Sequence, residues 1–193
     1  MFNPENQLDY QFMLSHVFSA DSPTITGDIA LNIETLSVFD YLVPGLDNIT
    51  GSLIGHLHLE GNWIQPKATG TLTLQNGAAD LPLLGIRLEK TKIALQADHS
   101  QTLHLTGSTE SNHGRLEITG DIQNWIKNPL IQAEIRGQGF QLIHIPAADI
   151  DVSPKLTFRK TGRALSLTGT LTIDKARINA DLFKDSVQSN LIS

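Results

Sequence analysis

Leu103-His104-Leu105-Thr106-Gly107 and Leu116-Glu117-Ile118-Thr119-Gly120 carry the unit that decides how this chain is read. The unit returns as Leu57-His58-Leu59-Glu60-Gly61, Ala133-Glu134-Ile135-Arg136-Gly137 and Leu165-Ser166-Leu167-Thr168-Gly169. Side chains of a strand point alternately to opposite faces. Each unit therefore sets two aliphatic residues and a glycine on one face, with His, Glu, Thr, Arg or Ser on the other.

Working outward, the same alternation predicts strands over 24–34, 51–61, 68–75, 78–83, 86–88, 92–97, 102–109, 115–122, 130–137, 140–145, 148–152, 156–159 and 164–173, with a further strand around 8–17. Asn76-Gly77 reads as a two-residue hairpin. Asn112-His113-Gly114 and Thr161-Gly162-Arg163 read as tight turns. Near 36–44 the apolar spacing changes to three or four, through Leu36, Phe39 and Leu42, which predicts one short helical turn ended by Pro44 and Gly45. No helical pattern follows Gly51, so a sheet layered with crossover helices is excluded and the fold class is all-β.

Composition narrows the function. The chain has 193 residues and a net charge of −6, with Lys and Arg scattered, so it lacks the basic footprint of a nucleic-acid binder. It has no cysteine, which removes disulfides and thiolate zinc sites. Residues 1–10 carry no basic and apolar segments of a secretory leader, and no run of about 18 apolar residues exists.

The apolar face is the candidate site. It gathers Leu53, Leu57, Leu59, Leu72, Leu74, Leu103, Leu105, Leu116, Ile118, Ile135, Leu165, Leu167 and Leu171. Gly55, Gly61, Gly70, Gly107, Gly120, Gly137 and Gly169 share their parity. Glycine weakens a strand interior, so it needs a reason. It can mark bends where a sandwich sheet turns over, or it can let one continuous sheet curl. A one-sided apolar sheet must also be covered, by a second sheet or by curling on itself around its own side chains or an apolar ligand. Aromatics are only 6%, and Trp63 and Trp125 fall in turn-like segments. A smooth Leu, Ile, Ala and Gly face matches a lipid chain, whose methylenes each gain about 0.8 kcal/mol on leaving water. It matches a plain aliphatic core equally well.

Catalytic constellations are missing. His56 and His58 stand two apart on one strand face with His104 comparably placed, but no carboxylate is spaced as a third ligand beyond Glu60, so they read as solvent-facing. His144 reads as a strand-end polar residue. Asp149 and Asp151 share a face and read as solvated. No Gly-x-Ser-x-Gly elbow, phosphate loop or dinucleotide fingerprint occurs. No enzymatic activity, metal or cofactor is expected.

The collinear order of the pieces adds a family. Leu46-Asp-Asn-Ile-Thr-Gly51-Ser-Leu-Ile-Gly55-His-Leu-His-Leu-Glu-Gly61, then Pro66-Lys-Ala-Thr-Gly70-Thr-Leu-Thr-Leu-Gln-Asn-Gly77, then Leu81-Pro-Leu-Leu-Gly85-Ile86 resembles the C-terminal region of the TamB family, which is AsmA-like. Leu103-x-Leu105-x-Gly107, Gly114-x-Leu116-x-Ile118-x-Gly120, Val152-Ser-Pro154-x-Leu156 and Leu165-x-Leu167-x-Gly169-x-Leu171-x-Ile173 continue in order, so the resemblance covers roughly 25–180. It departs at Lys155, where the family has an acidic residue, and at Asp174-Lys175, where a proline is expected.

The resemblance implies an elongated, curled antiparallel or mixed sheet, a β-taco with an aliphatic trough. It also implies a single domain over 24–182, an N-terminal extension over 1–23, and a tail over 183–193 that is short relative to the family. It implies a periplasmic segment of a protein anchored in the inner membrane of a Gram-negative bacterium. The partners so implied are phospholipid acyl chains and, through the parent protein, an outer-membrane β-barrel of the TamA or BamA type. The roles implied are outer-membrane protein and autotransporter assembly and phospholipid transport between membranes. Alternatives are a chaperone-like module that pairs nascent outer-membrane strands along a sheet edge, and a dry structural β-solenoid.

Overall fold

The structure, a computed structural model, describes residues 9–17, 24–37, 43–62, 65–100, 102–126 and 128–179. They form one antiparallel meander: β1 (Asp9–Val17), β2 (Thr24–Ile33), β3 (Asp47–Asn62), β4 (Gln65–Leu81), β5 (Ile86–Asp98), β6 (Thr102–Ser111), β7 (Gly114–Gln123), β8 (Leu130–Gln138), β9 (Phe140–Ile145), β10 (Ala148–Thr161) and β11 (Ala164–Ile178). Neighbours in sequence are neighbours in the sheet. The exception is that β8 and β9 share β10, β8 along Lys155–Lys160 and β9 along Ala148–Val152. Among the described residues no second sheet or helical layer covers either face. The all-β expectation and the single open, curled sheet therefore stand together, and the sandwich alternative falls. The helical turn is reduced to a short 3₁₀ segment at Leu36 and Ser37 and a turn at Pro44-Gly45; residues 38–42 lie outside the described residues. So do Trp63 and the tail over 183–193, whereas Trp125 sits in a turn.

Three strands run further than the alternation predicts, for one reason. Asn76-Gly77 is not a hairpin: β4 passes straight through it. Asn76 has φ 51° and is one residue extra against β3 and β5, a β-bulge. A bulge swaps the faces, so the inward set is Ala68, Leu72 and Leu74 before Asn76 and Gly77, Ala79 and Leu81 after it. Lys90, φ 50°, does the same in β5, joining the expected pieces 86–88 and 92–97. Asp174 does it in β11, extending the strand to Ile178. In each case the period-two pattern breaks while the strand continues. Side chains pin the bulges: the Asn48 Nδ2 donates to Asp80 at 2.6 Å, Arg87 to the same carboxylate at 2.6 Å, and Lys90 to Glu110 at 2.6 Å. The Asn48 bond, then that of Arg87, holds the Asp80 pKa below the ordinary carboxylate range.

Ser153-Pro154 is not a break in β10 either. The interruption falls beside it, between β8 and β9 at Gly139. There Gly139 N–H donates to Ser153 Oγ at 3.0 Å, and the Ser153 hydroxyl donates to Asp174 at 2.5 Å. Proline has no N–H for a ladder, and this gap in the β8–β9 side is where its absence is tolerated.

At six positions a glycine on one strand stands opposite an aliphatic residue on the next. Gly55 stands opposite Leu72, Gly70 opposite Leu57, Gly107 opposite Ile118, Gly120 opposite Leu105, Gly137 opposite Leu116 and Gly169 opposite Leu156. A methyl group built on Gly55 would lie 2.6 Å from Leu72 Cδ1, and one on Gly137 2.5 Å from Leu116 Cδ2. The larger neighbour occupies the space a side chain would have filled.

Gly70 and Gly61 separate crowding from backbone strain. Both have positive φ, 128° and 99°, but a methyl group on Gly70 would collide with the His56 carbonyl whereas none lies within 4 Å at Gly61. Gly61→Ala is expected to cost about 1 kcal/mol from conformation alone. Gly70→Ala adds an overpacking cost of about 1–3 kcal/mol. Urea unfolding of the two variants beside the parent chain reads the difference, and equal losses would remove crowding as the reason for Gly70.

Candidate functional site: the aliphatic face of the curled sheet

All thirteen expected wall residues lie on one face, and the strand register orders them into tracks running across the strands. One track runs Leu53, Leu74, Ile93, Gly107, Ile118, Ile135, Leu156, Gly169. The next runs Gly55, Leu72, Leu95, Leu105, Gly120, Ala133, Phe158, Leu167. A third passes through Leu57, Gly70, Ala97, Leu103, Ile122 and Ile131 before meeting Lys160 and Leu165. With strands about 4.8 Å apart, eight strands make each track about 34 Å long. The first two carry no charged residue.

The tracks are half open. None of the thirteen expected wall residues is buried; ten are intermediate, and Leu165, Leu167 and Leu171 on β11 are exposed. The buried apolar set is instead small or peripheral: Ile25, Ile33, Leu36, Ala68, Ala97 and Ala133, with Ala79, Ile86, Phe140 and Val152 at one end. Ile93, Leu95, Ile122, Leu156 and Phe158 share the face but were not among the expected wall residues. Their strands alternate as cleanly, yet β5 and β10 lack the complete Leu-x-Leu-x-Gly unit, and Ile122 lies just beyond the unit of β7.

One end of the trough is fastened. The turn between β4 and β5 reaches β9, where the His144 N–H donates to the Leu84 carbonyl at 2.7 Å. Elements four and five positions apart in the chain order thus meet backbone to backbone. Ala79, Ile86, Phe140, Val152 and the fully buried Ser111 fill this end. The role of His144 here comes from its backbone, which no side-chain pattern could have revealed.

The opposite face is polar, and its ionisable residues pair with one another. His58 lies 2.9 Å from Asp28; His56, also on this face, is exposed. The His104 Nδ1 lies 2.6 Å from Asp121, and its Nε2 3.4 Å from Asp98. Lys175 holds Asp149 at 2.6 Å and reaches Asp151 at 3.7 Å, so this pair is an ion-pair node, with the Asp149 pKa lowered chiefly by the Lys175 bond. Among the described residues no group of three or more His, Asp or Glu is arranged to hold a metal ion, and no helix is long and apolar enough to cross a membrane.

The Asp121 bond raises the His104 pKa above 6.5. A raised histidine pKa stabilises the fold fully below pH 6.5 and loses that contribution as pH climbs through the native value. His104→Gln is therefore expected to lower Tm slightly at pH 6 and not at pH 8.5, with the difference shrinking in high salt. Thermal melts of both chains at the two pH values check it; a deficit that grows with pH would contradict the pairing.

Comparison with known proteins finds one family. The family model described as the TamB C-terminal domain matches residues 101–193. The translocation and assembly module subunit TamB of Haemophilus influenzae is 25% identical over 171 residues, which cover 88% of this chain and 13% of that protein. The chain thus spans about an eighth of the length of that relative. No solved structure matches. The family model and the relative overlap over the second half of the curled sheet, and the chain is similar there to the TamB C-terminal domain.

Proposed function

We propose that this chain is a periplasmic trough segment that shelters phospholipid acyl chains on its aliphatic face. The observation that carries the reading is the half-open state of that face: long apolar tracks without a covering layer among the described residues. A folded domain gains its stability by withdrawing such surface from water. Here the strands withdraw only part of it, and an acyl chain laid along a track withdraws more on both sides. At about 0.8 kcal/mol per methylene, a sixteen-carbon tail offers on the order of 12 kcal/mol to any surface that shields it completely. The first two tracks carry no polar anchor, so affinity along them would be broad among acyl chains and nearly uniform, which suits passage as well as storage.

The similarity to TamB supports a wider setting. In it the parent protein is anchored in the inner membrane of a Gram-negative bacterium and spans the periplasm. It meets an outer-membrane β-barrel of the TamA or BamA type and supports outer-membrane protein and autotransporter assembly together with phospholipid transport. This chain would be one stretch of that trough, without catalytic chemistry of its own.

Purified from a bacterial host without detergent, the chain is expected to carry phospholipid detectable by extraction and mass spectrometry. Leu105→Arg and Ile118→Arg, each placing a charge in a track, should lose most of that lipid while keeping a β-sheet circular dichroism spectrum. Thr106→Arg, on the polar face, should retain it. A folded parent chain free of lipid, or equal loop-back of lipid in all three variants, would defeat the reading.

A further inference from the structure

We propose that Lys160 is the head-group site of the trough, taking the phosphodiester of a phospholipid whose acyl chains lie on the two uncharged tracks. The assignment rests on the lipid reading and adds to it a charge requirement and an orientation.

Lys160 is the exception on its face. From β2 to β11 the strand registers put one ionisable residue in line with the aliphatic set, and it is Lys160. It stands opposite Ile131 on β8 and Leu165 on β11. Because β10 is an interior strand here, both neighbours of Lys160 are described. The residue is half-buried and, among the described residues, makes no ion pair. A lysine on apolar surface lays its methylenes along that surface and keeps its ammonium in water. The other strands of the third track fill this row with Leu, Ile, Ala or Gly. On β10 the row instead receives a stem that still covers the face and a cation beside the β10–β11 turn.

The surroundings supply that cation with no counter-ion. Between Asp151 and Asp174 the chain carries Lys155, Arg159, Lys160 and Arg163 and no acidic residue, although its net charge is −6. Arg163 lies in the turn that joins β10 to β11. The carboxylates of β7 and β8 are already engaged: Glu117 with Arg115 at 3.0 Å, Asp121 with His104 at 2.6 Å and Glu134 with Arg136 at 2.9 Å. A cluster of one sign beside a low-dielectric wall concentrates its field on the groove. Such a place complements an anion fixed to an apolar tail. A free anion would gain only the charge, and a neutral lipid only the wall.

The register also orients the lipid. Leu156, Phe158 and Lys160 are successive inward residues of β10, on the first, second and third tracks. Lys160 therefore stands about 7 Å from the second track and about 13 Å from the first. A phosphodiester held there lets two tails run along those tracks from β10 toward β3.

Equilibrium competition against a pyrene-labelled diacylglycerol tests the assignment. The competitors are phosphatidylglycerol, phosphatidylethanolamine and diacylglycerol with the same two acyl chains, and glycerophosphoglycerol, the head group without its tails. Both phospholipids are expected to bind about fivefold more tightly than diacylglycerol, the effect of one basic residue on a lipid phosphate. Lys160→Met, which keeps an unbranched apolar stem, should bring that ratio to about one with its circular dichroism spectrum unchanged. Lys160→Arg and Arg159→Met, the latter on the polar face, should preserve the ratio. A ratio of one in the parent chain, a ratio unchanged by Lys160→Met, or displacement of the probe by glycerophosphoglycerol would overturn the assignment while leaving the trough reading intact. Failure of all three lipids to bind would defeat the trough reading, and the assignment with it.

Discussion

An apolar sheet face with no second layer has only its own neighbours to lean on, and in this chain the rest of the structure depends on how those neighbours interlock. Glycine opposite Leu or Ile, at Gly55, Gly70, Gly107, Gly120 and Gly137, lets the facing large side chain lie over the backbone of the next strand. Two leucines facing each other at every pair would push the inner surfaces apart; a glycine opposite a leucine draws them together. The arrangement weakens each strand taken alone, since glycine contributes no packing and loses the most entropy on folding. It is favourable only when the neighbouring strand is present, which makes the sheet cooperative across its width.

The outer face does the complementary work. Pairs such as His104 with Asp121 and His58 with Asp28 tie adjacent strands through polar groups that remain in contact with water. Exposed pairs of this kind are individually weak. Their value lies in fixing register, because a one-residue slip would carry every aliphatic residue to the solvent side. The inner face alone specifies such a slip poorly wherever two aliphatic rows look alike, and the charged pairs of the outer face discriminate where those rows do not.

The sequence makes the fold class and the membership of the aliphatic face legible because a strand has a strict period of two. Where the period held, as from Leu103 to Gly120, both the elements and the aliphatic residues of the inner face were readable. Where a bulge inserted one residue, at Asn76, Lys90 and Asp174, the parity changed and one long strand looked like two or ended early. Asn76-Gly77 has the residues of a two-residue turn, but the left-handed conformation of Asn76 serves a bulge equally well, and only pairing on both sides of β4 separates the two. Ser153-Pro154 likewise records a real interruption, placed in the neighbouring strands instead of its own. The contact between Leu84 and His144 was beyond reach, since backbone groups carry no residue code.

That contact makes the trough unequal at its two ends. Near the β4–β5 turn, Ala79, Ile86, Phe140 and Val152 are buried by one another, and the chain itself occupies the groove. Toward the Leu53–Leu74 and Gly55–Leu72 tracks the face opens, and the same residue types remain half exposed. The bulges at Asn76 and Lys90 lie between the two regions and bend β4 and β5 across the sheet. A bulge thus does more than preserve the inward set: it divides a uniform apolar face into a part that closes on itself and a part that stays available. On the proposed reading, an acyl chain would lie along the open tracks beside a wall built from the chain's own side chains at the fastened end. The strands would then set the direction in which a tail can lie, across them and away from His144, without any residue dedicated to recognising it.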